Sequence, residues 1–354
     1  MALPFLEKTP KKRNHIVAID LGGRTTKAVS VQRQGEGYRL VNFAVQDAPV
    51  FEKSFAPDVL ADHLRNIGQA LNAKTKLVSV AISVTDALLR HTELPLVPVA
   101  DMRAMLKFNA KMYLQQDLPD HVFDCFVLVA AAKGSAAEPP KGAQKCKVLV
   151  GGAKSSYIAD LQTAIKAAGL VPDTITPGMI GTANAFELAQ PEAFANEAVA
   201  LVDIGFRNSS ITILLNGELS LSRVVGIGGD KLTSGLAEAM SISYAEAEGI
   251  KIGMPTEVQA VLQALLSPLG RELRASIDFF EHQQDKTVSQ VFLSGASARS
   301  DFMIQTLQTE LMIPCKSWSP ASFLTLVLPP EKRAELDQVA PQLNVAVGTA
   351  TAEF

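Results

Sequence analysis

The residues best suited to chemistry lie in two short stretches, each placed where an apolar strand ends. In the first, Asp20 closes the run Ile16 to Asp20, and Gly22, Gly23, Thr25, Thr26 and Lys27 follow it. In the second, Asp203 closes the run Ala198 to Asp203, and Gly205, Arg207, Asn208, Ser209 and Ser210 follow. Glycines let backbone N–H groups approach an anion closely, while the hydroxyls and Lys27 add donors and charge. An acid at a strand end is placed to hold a hydrated Mg²⁺ that bridges phosphates. Two such turns facing each other would clasp one polyphosphate, with Asp20 and Asp203 as the acids for the metal. Either turn alone is equally well an ordinary β-hairpin; two in matched contexts are harder to dismiss.

Two further Gly-bearing loops join them. Gly226-Ile227-Gly228-Gly229-Asp230 runs into a helix, and a Gly-rich loop before a helix N-terminus is a competent phosphate ligand. Gly295-Ala296-Ser297-Ala298-Arg299 lies between a strand and a helix, where small residues suit a flat ring packed on backbone, or simply a βα turn.

The elements that must position these loops follow from periodicity. Ile16 to Asp20, Lys27 to Gln32 and Tyr38 to Val45 read as a three-strand meander, Asp58 to Leu71 as a helix, and Lys76 to Val84 as a strand. A second unit has its own order. Strand Leu88 to Leu94 leads into helix Ala100 to Leu114. Strand Val122 to Ala131 and an exposed loop, Lys133 to Gln144, come next. Strand Lys147 to Val150 and helix Ser155 to Ala168, closed by Gly169, complete the unit. From Glu197 the opening pattern returns: strands Ala198 to Asp203, Ser209 to Leu215 and Glu218 to Val225, with the hairpin turn Asn216-Gly217. Helices Asp230 to Met240, Tyr244 to Ile250 and Glu257 to His282, strand Gln290 to Ser294 and helix Phe302 to Leu311 complete it. IVAID-LGGRTTKAVSV and ALVDI-GFRNSSITIL are therefore one device used twice, roughly 180 residues apart, which points to two similar halves across a cleft.

Composition removes several classes. Of 354 residues, 33 are Lys or Arg and 36 Asp or Glu, a formal charge of -3, so there is no general electrostatic reason to hold nucleic acid. The three cysteines, Cys125, Cys146 and Cys315, are too scattered for a disulfide framework, and the five histidines never take metal-ligand spacing. No run approaches the roughly 20 apolar residues of a membrane-spanning helix. The opening MALPFLEKTPKKRNH lacks the form of a secretory signal, so a cytoplasmic protein is expected. Lys8, Lys11, Lys12 and Arg13 read as a solvated tail, or, more sharply, as a weak contact with an anionic membrane face. Met102, Met105, Phe108, Met112 and Tyr113 at helical spacing read mostly as core, with Phe108, Met112 and Tyr113 expected to edge a groove for an apolar peptide.

Taken together, the two acidic turns, GIGGD before a helix, and VFLSGASAR resemble the actin/Hsp70/sugar-kinase superfamily. Within it the chain resembles, from about Ile16 to Thr351, the PilM family of type IV pilus inner-membrane assembly proteins, relatives of the FtsA family. LPLVPVADMRAMLKFNAKMYLQQDLPDHVFDCFVL, VLVGGAKSSYIADLQTAIKAAGLVP and GIGGDKLTSGLAEAMSISYAEAEGIKIG carry the likeness. The resemblance implies an α/β fold of duplicated actin-like (ribonuclease H-like) domains with an FtsA/PilM-type small inserted subdomain. Its ranges would be a basic tail at 1–14, a first half at 15–90 and 170–196, the subdomain at 91–169, and a second half at 197–354. It implies ATP and Mg²⁺ between the halves. Asp20, Gly22, Gly23, Thr25, Thr26 and Lys27 would form the first phosphate element and Asp203, Gly205, Asn208 and Ser209 the second. Gly228 and Gly229 would lie near the phosphates, Glu248 and Lys251 at the ribose or base, and Gly295 with Ser297 at the adenosine. It also implies a partner, the N-terminal cytoplasmic peptide of a PilN-like single-pass inner-membrane protein, docked near the subdomain. Other pilus assembly proteins would be further partners, and self-association is left open. The protein would sit at the inner membrane through those partners.

Three departures from the family pattern stand out. The first turn reads GGRTTK in place of a run of serines, leaving Arg24 either outward or over the phosphates. Ala296 replaces a glycine. The helix from Pro177 begins TPGM without the acid or Gln that would orient attacking water, and Glu187 comes too late. Weak or absent hydrolysis is therefore expected. The alternatives are an FtsA-like filament former, although no amphipathic membrane helix follows Thr349 to Phe354, and a sugar or acetate-type kinase, for which no acceptor-binding constellation is present.

Overall fold

The computed structural model describes residues 13–49, 56–128 and 145–354. The alternating runs at the start form β1 (His15–Leu21), β2 (Thr25–Gln34) and β3 (Gly37–Asp47), each antiparallel to the next. In α1 (Pro57–Leu71), Leu60, Leu64, Ile67 and Leu71 recur at 3.6-residue spacing and are buried; proline opens the helix and Asn72, at φ 45°, ends it. β4 (Leu77–Ile82) then lies parallel to β1.

The second unit holds β5 (Ala87–Pro95), α2 (Val99–Leu114), β6 (His121–Val127), β7 (Lys145–Lys154) and α3 (Ser155–Ala167). Its strands form an antiparallel sheet in the order β5-β7-β6. Met102 and Leu106 of α2 bury against Leu94, Cys146, Val148 and Val150. α2 is kinked at Asn109, whose φ of -132° is not helical. Two elements cross the expected range 91–169. β5 begins at Ala87, and α3 packs Leu161, Ala164 and Ile165 into the core shared by β1, β4 and α1. That helix covers the first sheet, and Ala153 of β7 shares the same core.

β8 (Val171–Pro177) extends the first sheet beyond β4, and α4 (Gly178–Ala189) and α5 (Pro191–Asn196) follow. Its Pro172 and Pro177 hide it from a reading of strand propensity, yet an edge strand tolerates residues without an N–H. The repeat then appears as β9 (Ala198–Ile204), β10 (Ser209–Leu215) and β11 (Glu218–Val225). α6 (Gly229–Met240), α7 (Tyr244–Gly253) and α8 (Gln259–Gln284) come next, with Ser243 and Glu246 forming a reciprocal cap on α7. β12 (Gln290–Ser294), α9 (Asp301–Leu311), β13 (Cys315–Ser317), β14 (Leu324–Leu326), α10 (Pro330–Val339) and α11 (Asn344–Thr351) end the chain.

The sheet orders, β14-β3-β2-β1-β4-β8 and β11-β10-β9-β12-β13, show the duplication directly. In each, a three-strand meander is followed by a parallel strand on the far side of its first member. Two elements of the range 197–354 expected for the second half contact the first. β14 pairs in parallel with β3, and α11, buried along its whole length, packs on α4. The close approach there is absolute: a Cβ on Gly348 would lie 1.8 Å from the Gly181 carbonyl oxygen.

Of the expected basic tail, Lys8, Lys11 and Lys12 lie outside the described residues, as does the loop 133–144. Arg13 is not a free solvated charge, since its guanidinium binds Asp173 and Glu353. Among the described residues no helix is long and apolar enough to cross a membrane.

Candidate functional site

Both acidic turns line a single cavity of 660 Å³ between the two sheets. The first hairpin brings in Asp20, Gly22, Gly23, Thr25, Thr26 and Lys27; the second brings in Asp203, Gly205, Asn208 and Ser210. Gly229, Glu248, Lys251, Gly295 and Ser297 line it as well. The sequence placed all of these at the site except Ser210, which it noted only as part of the second turn.

The hairpin register sets which groups meet. Lys27 lies directly across from Asp20, and its Nζ donates to Asp20 Oδ2 at 3.1 Å. Thr26 is buried, with its Oγ1 2.8 Å from His63 Nε2, so its hydroxyl is tied to α1. In the second hairpin Ser210 is the residue across from Asp203.

Asp203 sits in a polar network at the cavity floor. Its Oδ1 accepts from Ser294 Oγ at 2.9 Å and from Asn344 Nδ2 at 3.2 Å, and the same amide lies 3.0 Å from Thr182 Oγ1 of α4. Burial pushes the Asp203 carboxyl up; the Lys27 ammonium and these two hydrogen bonds oppose that, while the Asp20 carboxylate adds to it. Asn344, Thr182 and Ser294 were not identified from the sequence. The only available signal was a polar residue opening the apolar run NVAVGTAT.

Two expected site residues fall elsewhere. Ser209 is fully buried, and its Oγ donates to the Ile227 carbonyl at 2.6 Å. Successive strand residues face opposite sides, so Ser210 takes the cavity side instead. Gly228 does not line the cavity: it caps α6 against the second turn, where a Cβ would lie 2.3 Å from the Phe206 carbonyl oxygen. Gly229 and Asp230 N–H donate to the Gly205 and Phe206 carbonyls at 2.9 and 2.8 Å. Both donors, of which Gly229 was expected near the phosphates, are therefore spent within the protein.

Lys251 is buried, with Nζ 2.6 Å from Thr233 Oγ1 and 2.7 Å from Glu248 Oε2. Burial alone would raise the Glu248 carboxyl, but hydrogen bonds from Lys251 and Thr233 outweigh it and hold the carboxyl below its usual range. Gly295 turns at φ 89°, a conformation glycine reaches without strain, and a Cβ there would lie 2.3 Å from the Ile204 carbonyl oxygen.

One feature was not legible in the sequence, and two departures noted there take their places in the structure. The turn after β4 brings Ser83, Thr85 and Asp86 to the cavity, where burial raises the Asp86 carboxyl against the pull of Lys154. α4 reaches the cavity with Gly178, Met179 and Thr182, and so brings no carboxylate or Gln side chain to it. Arg24 crosses the mouth: its guanidinium lies 5.3 Å from the Phe206 ring centre, and Nη1 is 3.3 Å from the Tyr244 hydroxyl.

Asp20 and Asp203 are the acids that could serve a metal. Among the described residues no group of three or more His, Cys, Asp or Glu side chains forms a ligand cage. Two carboxylates beside a polyphosphate-sized space suit Mg²⁺, which keeps most of its waters and takes few protein ligands. The apolar residues expected at the partner groove divide. Phe108 and Met112 are 78% and 75% exposed and four apart on α2. Tyr113 is partly buried against the core of the small sheet, and its carbonyl accepts from Thr92 Oγ1 at 2.7 Å.

Comparison with known proteins follows this geometry. The family model described as "Type IV pilus assembly protein PilM" matches residues 18–354. A solved structure described as a PilM-PilN type IV pilus biogenesis complex superposes with a TM-score of 0.81 at 21% identity, over 96% of this chain and 98% of that one. The ethanolamine utilization protein EutJ from Carboxydothermus hydrogenoformans gives 0.57 at 14% identity, covering 97% and 91%. MreB5 of Spiroplasma citri bound to ADP gives 0.52 at 11%, covering 96% and 95%. These likenesses show that the fold is actin-like.

Proposed function

The chain belongs to the PilM family of type IV pilus assembly proteins, and from that premise we propose that it is a nucleotide-closed docking component of an inner-membrane assembly platform. One observation supports this most: two hairpin turns of the same design, more than 180 residues apart in sequence, line the same cavity with an acid each. ATP would lie between the halves. The first turn and Lys27 would meet its phosphates, Glu248 and Lys251 its ribose or base, and Gly295 with Ser297 its adenosine. Asp20 and Asp203 would hold Mg²⁺, mostly through water, and the ion would neutralise charge between the phosphate oxygens. Asn344 and Ser294 keep the Asp203 carboxyl aimed, and their hydrogen bonds favour its charged form against burial. The start of α4 brings no group to orient an attacking water, so turnover is weak or absent and the nucleotide acts as a ligand that holds the cleft shut.

The partner would be the N-terminal peptide of a PilN-like single-pass inner-membrane protein. Phe108 and Met112 offer two exposed apolar side chains on either side of the α2 kink in the small subdomain, the kind of surface an apolar peptide covers. Such docking would keep the protein in the cytoplasm and peripheral to the inner membrane. Isothermal titration with Mg-ATP tests the nucleotide half: one site per chain is expected, and the absence of binding heat and of thermal stabilisation at millimolar nucleotide would sink it. Capture of the chain on an immobilised PilN-like N-terminal peptide tests the partner half.

A further inference from the structure

Arg24 projects from the first turn, between Gly23 and Thr25, and its own backbone carbonyl is held by the Ala48 N–H at 2.8 Å. Its side chain leaves that half of the molecule. The guanidinium carbon lies 5.3 Å from the Phe206 ring centre and 6.0 Å from that of Tyr244. Nη1 donates to the Tyr244 hydroxyl at 3.3 Å, and that hydroxyl donates to Asp230 Oδ1 at 3.0 Å. Phe206 belongs to the second turn, Tyr244 opens α7 and Asp230 lies in the first turn of α6, so all three partners sit on the second half. Arg24 and its cross-cleft partners Phe206 and Tyr244 are thus drawn together by the protein alone, at the edge of a cavity that also includes Arg24 and Phe206 in its lining.

We infer that Arg24 is a clasp that closes the cleft mouth without help from a ligand and thereby sets how long a nucleotide stays inside. A guanidinium over an aromatic face is attracted by the ring quadrupole, and the planar fork can stack and donate at once, which an ammonium cannot. Release then requires the clasp to open, as lid opening limits release elsewhere. Burial and Asp230 raise the Tyr244 phenol and the Arg24 charge opposes them, while the same charge adds a small pull to the hydrogen bonds that lower the Glu248 carboxyl, so Arg24 stands beside the cavity groups it would guard. The residence-time part rests on the nucleotide reading above; the closure part does not.

The test uses the full chain and the variants Arg24→Ala and Arg24→Lys. In ligand-free protein, amide hydrogen exchange in residues 22–27 and 244–253 should quicken about tenfold in Arg24→Ala and move the same way in Arg24→Lys. Unchanged exchange in both variants overturns the clasp. With Mg²⁺ and methylanthraniloyl-ATP as the probe, release from Arg24→Ala should be about tenfold faster, the equivalent of about 1.4 kcal/mol. An unchanged release rate overturns the control of residence time. If wild-type protein does not bind the probe, the nucleotide reading fails, and the ligand-free exchange still decides whether the clasp exists.

Discussion

Lys27 stands across the first hairpin from Asp20, with its ammonium 3.1 Å from the carboxylate, whereas the residue in the same place across from Asp203 is Ser210. The two acids are therefore not equivalent despite their matched strands. Asp20 carries its own cation, and Asp203 depends on neutral donors from Ser294 and Asn344 and on the reach of Lys27. This asymmetry within a duplicated frame shapes what each acid should do when changed.

Replacing Asp20 by Ala removes a metal-side acid and leaves Lys27 without its carboxylate. Mg-ATP affinity should fall by roughly tenfold or more, about 1.4 kcal/mol, with the circular dichroism spectrum unchanged. Calorimetry showing wild-type affinity would remove the first turn from the site.

Asp203 behaves differently with pH. Its folded carboxyl is raised, chiefly by burial, above the ordinary value of 3.8. Between that value and the folded one the native state holds more protons than the unfolded chain, so stability declines as pH rises through the window. The cost grows from the ordinary value upward until pH passes the folded one. Asp203→Asn keeps an acceptor for Ser294 and Asn344 and removes the buried charge. Its melting temperature at pH 7.5 should exceed that of wild type by a few degrees, an advantage that disappears near pH 3.5. The same variant should lose the stabilisation that Mg-ATP confers on wild type, which a thermal-shift titration reads.

Histidines give the opposite slope. Burial is the main cause lowering the pKa values of His15, His63, His91 and His121. Below about pH 6.5 the unfolded chain takes up protons that the folded chain resists, so stability falls with acidification and is flat above that point. His91, whose Nε2 lies 2.8 Å from the Leu219 carbonyl, ties β5 to β11 and should account for part of the loss. Urea denaturation midpoints between pH 5 and 8 for wild type and His91→Gln would show a shallower slope in the variant.

The helix crossing of α4 and α11 tolerates no added methyl group. With a Cβ 1.8 Å from the Gly181 carbonyl oxygen, Gly348→Ala must push the helices apart, and a loss of about 1–3 kcal/mol is expected from overpacking. A denaturation midpoint equal to wild type would contradict the contact. Because Asn344 begins α11, the variant should also weaken Mg-ATP binding.

Phe108→Ser with Met112→Ser changes two exposed side chains. Stability should stay within about 0.5 kcal/mol of wild type, and Mg-ATP binding should not change, while capture on a PilN-like peptide is lost. Undiminished capture would move the docking surface off the outer face of α2.

Much of this could be read from the chain alone because it is local. Strand, acid and Gly-bearing turn are encoded by a period of two and by backbone freedom at a few glycines, and both copies appear where those patterns fall. Asn216-Gly217 makes its hairpin for the same reason, with both residues at positive φ. The composition also excluded a disulfide framework and a metal-binding histidine motif from residue counts and spacing. What tertiary structure decided is everything that depends on segments distant in sequence. Which of Ser209 and Ser210 faces the cavity follows from the register of β10 against β9. That the Gly229 and Asp230 N–H groups are spent follows from the docking of α6 on the second turn. β14 and α11 return to the first half because their apolar faces find cores there, and proline-bearing β8 is admitted because it lies at an edge. The Arg24 side chain meets partners far along the chain. Its meeting with Phe206 and Tyr244, some 180 and 220 positions later, exists only once packing has brought two sheets together, since side-chain attraction of this size cannot order so long a stretch of chain by itself.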